Sequence, residues 1–216
     1  MKNRKNKLTL NRFEFSALLA LLFVIISLAV GSMTDFASNC KNIRDNTIRL
    51  HVIANSDSAE DQQIKLAVRD AVLEQYSALL RGQSKTDALE NTSALLDEIE
   101  LTANRLLAEQ NINCSARAEL VEMYFATTEY GEFTMPAGRY DALRITIGEA
   151  KGHNWWCVMF PPLCLPAATS GDALITDTEL YRQFGRTSAE LVKSAPKYEV
   201  RFALLEFFQR LIYKTK

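Results

Sequence analysis

The sequence predicts an α+β fold: a mostly antiparallel sheet in β-α-α-β-β-β order, two antiparallel helices on one face, and a C-terminal amphipathic helix. Three observations predict it. Residues 48–54, "IRLHVIA", alternate Ile48, Leu50 and Val52 with Arg49, His51 and Ile53, as a strand with one buried face does. Two long stretches then repeat apolar residues at helical spacing. From Cys114 onward the period returns to two.

The chain opens differently. "MKNRKNKLTLNR" carries Lys2, Arg4, Lys5, Lys7 and Arg12, and residues 16–30, "SALLALLFVIISLAV", hold no charge. A basic stretch before an apolar run of this length reads as an export signal. Ala29 and Gly31 supply the small residues that cleavage after Gly31 needs. Retention as a membrane anchor is the alternative, although a span usually takes about 20 apolar residues. Cations on the N-terminal side leave that end in the cytoplasm and send the rest outward. Residues 1–31 are therefore read as a signal peptide or anchor, 32–44 as a linker, 45–165 as the domain proper and 166–216 as a C-terminal extension.

After the first strand, "NSDSAED" is a polar turn, and Ser58-x-x-Asp61 resembles a capping box. Ile64, Val68, Val72, Tyr76 and Leu80 recur at steps of four, so the following segment is an amphipathic helix, and Gly82 is its natural stop. Ser84-x-x-Asp87 starts a second helix that runs to about Gln110, with Leu89, Leu96, Ile99, Ala103 and Leu106 inward. The turn between the two is short enough to make them antiparallel. "SARAELVEMYF", "YDALRITIGEA" and "NWWCVMF" are the later strands, and "TTEYGE" and "MPAGRY" are read as turns. Residues 165–198 read as loop with short helical pieces such as "TDTELYRQFG". Residues 198–213 are a helix whose apolar face carries Val200, Leu204, Phe207, Phe208 and Leu211.

Charge restricts the partners. Residues 1–31 hold five of the 25 Lys and Arg and one of the 26 Asp and Glu, which leaves 20 basic against 25 acidic residues, a net −5. A mildly acidic exported domain lacks the basic footprint that nucleic acid requires. Membrane contact is expected only through the N-terminal segment.

The segment "GHNWWCVMFPPLC", residues 152–164, concentrates both tryptophans, half of the four cysteines and one of the two histidines. A cysteine hydrolase needs a thiolate within reach of a histidine. His153 and Cys157 lie about 13 Å apart at strand rise, and the mid-strand neighbours of His51 cannot be read from sequence. An exported hydrolase working through Cys157 and a histidine is the alternative reading. No CxxC, HxH or HExxH spacing points to a metal, and no GxGxxG or phosphate loop to a nucleotide. The sequence thus predicts no catalytic set, no metal site and no cofactor. Four cysteines allow three disulfide connectivities; Cys157 and Cys164 are the closest pair, and four unpaired thiols are the other outcome. Trp155 and Trp156 should face opposite sides of a strand, one in the core and the other over the second sheet face, under a helix or at a partner, and Pro161 and Pro162 should stop that strand. Asn55, Ser56 and Asp57 sit between a strand and a helix, where sites form, but are also ordinary turn formers.

Two of these stretches, "RLHVIANSDSAEDQQIKLAVRDAVL" (49–73) and "PAGRYDALRITIGEAKGHNWWCVMFPPLC" (136–164), resemble the stage II sporulation protein R family of endospore-forming bacteria. The resemblance implies a signalling protein exported from the forespore into the space between the two septal membranes. Its implied partner is a membrane-embedded aspartic protease that processes the sigma-E precursor in the mother cell. The first motif carries the resemblance to His51, Asn55, Ser56, Asp57, Asp61, Lys65 and Arg69. The second carries it to Gly138, Tyr140, Leu143, Arg144, Gly148, Asn154, Trp155, Trp156, Cys157, Pro161, Pro162 and Cys164. His153 and "LPAATSGDAL" after Cys164 fall outside the family pattern.

Overall fold

A computed structural model describes residues 11–80, 84–130, 133–163 and 177–193. Two compact units divide the chain, Met1–Ser38 and Asn39–Lys216. Helix α1 (Arg12–Asp45) has 34 residues, about 51 Å at 1.5 Å per residue. Its most apolar window, with a mean hydropathy of 2.5, is exposed throughout. By length and composition it could cross a membrane, and a signal sequence near an N-terminus has the same character. Residues 32–44, read as a linker, are part of this helix.

Within the second unit the elements run β1 (Ile48–Ile53), α2 (Ala59–Leu80), α3 (Lys85–Ala94), α4 (Leu96–Glu109), β2 (Ala116–Phe125), β3 (Thr128–Tyr130), β4 (Phe133–Met135), β5 (Gly138–Ile147), β6 (Asn154–Phe160), α5 (Asp177–Phe184) and α6 (Arg186–Lys193). The main sheet has the order β2-β5-β1-β6. Strand β5 is antiparallel to β2 and β6 antiparallel to β1, whereas β1 and β5 are parallel. The α+β class and the mostly antiparallel sheet follow the sequence reading. The parallel pair arises because the helical excursion brings the chain back as β2, one slot beyond β1, and β5 fills the gap.

The helices cover one face. Ile48, Leu50, Val52, Leu143, Ile145 and Ile147 pack there against Ile64, Val68, Val72, Tyr76, Ile99, Ala103 and Leu107. The Tyr76 hydroxyl, late in α2, donates to the Glu98 carbonyl, early in α4, at 3.0 Å, and ties the end of α2 to the start of α4. The predicted second helix is two helices. At Leu95 the backbone leaves helical geometry (φ −102°, ψ 2°). The Thr92 hydroxyl donates back to the Ala88 carbonyl at 2.6 Å, a bond that weakens and bends helices.

Both predicted caps form, one of them altered. Ser84 and Asp87 make a reciprocal box. Ser58 accepts from the Asp61 amide at 3.1 Å, but the Asp61 carboxylate turns instead to Asn55 and Ser56.

The second face is covered too. "TTEYGE", read as a turn, supplies β3 of a two-stranded sheet with β4. Tyr130 of that hairpin reaches the Arg49 guanidinium. Ser188 of α6 donates to Asn39, and Asn42 donates to Ser188. The helix foreseen at 198–213 and Cys164 lie outside the described residues.

Candidate functional site

Most of the motif residues gather where the C-terminal end of β1 meets the start of β6 and the start of α2, whereas Gly138, Tyr140, Pro161 and Pro162 lie towards the other end of the sheet. The gathered residues form three groups.

The first is a lock between the β1–α2 and β5–β6 connections. The Asn55 side-chain carbonyl accepts from the Glu149 amide at 2.9 Å, and its amide donates to Asp61 at 3.0 Å. Ser56 donates to the same carboxylate, and these bonds hold the Asp61 pKa below the ordinary carboxylate value, Ser56 contributing most. Asp57 accepts from the His153 amide at 2.6 Å and pairs with the His153 ring. Lys151 and Gly152 donate their amides to the Asn55 and Ala54 carbonyls at 3.1 and 3.0 Å. Lys65 reaches the His153 carbonyl at 3.0 Å. Burial, with Arg69 nearby as the lesser cause, lowers the Lys65 pKa. The glycines belong to the same lock. A side chain at Gly148 (φ +57°) would strike Asn55, and one at Gly152 would strike the Ser56 carbonyl. Asn55, Ser56 and Asp57 therefore act as loop fasteners that bind two connections to each other.

The second group lies on the sheet face away from α2 and α4. His51 stacks on Trp156 (centroids 3.9 Å apart, planes 14° apart), and Phe125 stands edge-on to both. The His51 Nε2 lies 2.8 Å from the Asn154 side-chain carbonyl, to which it donates. That leaves Nδ1 as a buried, bare nitrogen without a hydrogen-bond partner among the described residues. Burial is the main cause that lowers the His51 pKa from 6.5. Arg144 sits beside His51 in register and directs its Nε and Nη2 at Glu119 from 3.0 and 2.9 Å. Below them Arg49 is fully buried. Its guanidinium lies 4.3 Å from the Phe125 ring centre, 5.1 Å from that of Tyr140 and 5.5 Å from that of Tyr130. It donates to the Cys157 carbonyl at 3.0 Å and to the Tyr130 hydroxyl. No carboxylate among the described residues pairs with it; ring faces stabilise its charge instead.

The third group lies on the helix-covered side. The Arg69 guanidinium packs 4.2 Å from the centre of the Trp155 ring and is paired with Asp70 at 2.7 Å. The two tryptophans face opposite sides of β6, as alternation predicts, but neither is fully buried: both rings are half-buried, one under a cation and one under an imidazole. Pro161 and Pro162 end β6 at its far end, about 20 Å away at strand rise. The Phe160–Pro161 bond is cis.

The cysteine–histidine pairing does not occur. Cys157 stands opposite Leu50 and packs into the helix-side core, whereas His51 stands opposite Trp156 on the other face. Cys157 is disulfide-bonded, and Cys40 and Cys114 are free. His153 is engaged by Asp57. No group of three or more His, Cys, Asp or Glu among the described residues is placed to hold a metal ion.

Sequence reasoning missed Arg49 and Tyr130. Alternation assigned Arg49 to a solvent face, because the hairpin that covers it was read as a turn. The one available signal was the aromatic set Phe125, Tyr130 and Tyr140 clustered before and after that turn.

The fold and site thus define an α+β scaffold whose motif residues fasten loops and clamp two aromatic rings at a sheet edge. The chain belongs to the stage II sporulation protein R family, whose family model matches residues 44–170. It is 38% identical over 133 residues to stage II sporulation protein R of Bacillus subtilis (strain 168), a match covering 61% of this chain and 59% of that relative. The chain therefore spans under two thirds of that relative's length. No solved structure matches it.

Proposed function

We propose that the chain is an exported signalling protein of sporulation. In this reading it leaves the forespore through its N-terminal segment and acts between the septal membranes. There it triggers a membrane-embedded aspartic protease that processes the sigma-E precursor in the mother cell. It acts as a binding protein and not as an enzyme. The observation that carries this reading is the family match over 44–170, which spans all three motif groups. The chemistry of those groups agrees with it, since most of their polar side chains fasten loops and rings. An activator confined to a narrow space needs a rigid surface, and local concentration makes a modest interface sufficient.

The tryptophan edge is the surface proposed to meet the protease. Half-buried aromatic residues held by a stacked partner are effective interface anchors. Trp155→Ala and Trp156→Ala are expected to reduce precursor processing strongly in a sporulating host while the protein is still folded and exported. Normal processing with both tryptophans replaced would contradict the assignment.

A further inference from the structure

Strand β2 is an edge strand of the main sheet, and its two halves are treated differently. The first half is capped by side chains of α4. Asn104 accepts from the Ala116 amide at 2.8 Å and donates to the Ala116 carbonyl at 2.9 Å, as a neighbouring strand would. Glu100 accepts from the Ala118 amide at 2.9 Å. In an antiparallel pair, alternate residues direct their backbone groups outward, so Leu120 and Glu122 share the outward orientation of Ala116 and Ala118. The Glu122 carbonyl is taken by Arg139 at 3.2 Å. Among the described residues, the amide and carbonyl of Leu120 and the amide of Glu122 have no such cap. Beside them lies a groove of about 370 Å³ lined by Leu89, Glu90, Ser93, Leu120, Glu122 and Asp141.

We propose that residues 120–122 form a strand-addition site for an extended segment of a partner protein carrying an apolar side chain next to a lysine or arginine. Main-chain pairing along an open edge supplies affinity, and the groove selects the side chains. Leu89 and Leu120 form the apolar floor. Asp141 is engaged by Lys85 at 2.7 Å and Glu122 by Arg139. Glu90 has no ion-pair partner among the described residues and is the carboxylate that a partner's cation meets. A second copy of β2 is a poor occupant, because it would set Glu122 and Glu90 of both copies close together. The site lies on the opposite edge from the tryptophans and does not depend on the protease reading.

The test uses the full chain in a neutral detergent, with an alternating lysine–valine heptapeptide and its glutamate–valine counterpart as probes. Binding is read by amide hydrogen exchange. The lysine peptide should slow exchange at Leu120 and Glu122 at least tenfold, and the glutamate peptide should not. Leu120→Pro removes one outward amide at a position where an edge strand tolerates proline, and should weaken binding at least tenfold. Glu90→Lys, an exposed-rim change that leaves the strand intact, should shift the preference towards the glutamate peptide. Three outcomes would overturn the proposal: no protection by either peptide, equal protection by both, or protection that rises with protein concentration alone, which would mean self-pairing.

Discussion

Gly152 lies against the Ser56 carbonyl and Gly148 against the Asn55 side chain, so the β5–β6 turn closes only with hydrogen at both positions. Gly152→Ala should cost about 1–3 kcal/mol, as over-filling a packed site does, and a denaturant melt would measure it. Asn55→Ala removes a donor and an acceptor at once and should cost about 2 kcal/mol. His51 adds a pH dependence. Burial lowers its folded pKa below the ordinary 6.5, so the unfolded chain binds more protons as the pH falls through that value. Stability is therefore full above 6.5 and declines below it. Thermal melts from pH 8 to 5 should show the decline, and His51→Gln should flatten it. Sequence reached these positions unevenly. Asn55, Ser56 and Asp57 were legible as turn formers, because their short polar side chains have few other uses. Their partners were not, since the Glu149 and His153 amides are distant in sequence. Arg49 was misplaced because alternation shows which side of a strand a residue faces, and not what covers that side.

At the scale of elements, the long helices and all four main-sheet strands were legible from the run and period of their apolar residues, whereas the short strands β3 and β4 were not. Strand neighbours were not. A period of two is the same in β1 whether β5 lies beside it in parallel or β2 in antiparallel. The break at Leu95 was hidden because the apolar face continues from Leu89 through Leu96 to Ile99, while a local Thr92 bond bends the backbone. Strand β2 depends on α4 in a way that can be measured. Asn104→Ala leaves the Ala116 amide and carbonyl without their cap. It should cost about 2 kcal/mol and speed exchange at the Ala116 amide, while the core amides of β1 remain protected. Unchanged exchange at Ala116 would show that the edge is closed by other means.

For the whole molecule, the apolar helix near the N-terminus has the character of a signal peptide or membrane anchor, and the proposed signalling role requires that it carry the tryptophan edge out of the compartment that makes it. The family match supplies the process in which such a scaffold is used. The most direct measurement expresses the chain, the membrane-embedded aspartic protease and the sigma-E precursor together in a non-sporulating bacterium and follows the precursor by immunoblot. One form of the chain keeps residues 1–31, and another lacks them and stays in the cytoplasm. The account predicts mature sigma-E only with the exported form, and its loss when Trp155 and Trp156 are both replaced by alanine. Equal processing by the cytoplasmic form, or none by the exported form, would contradict it.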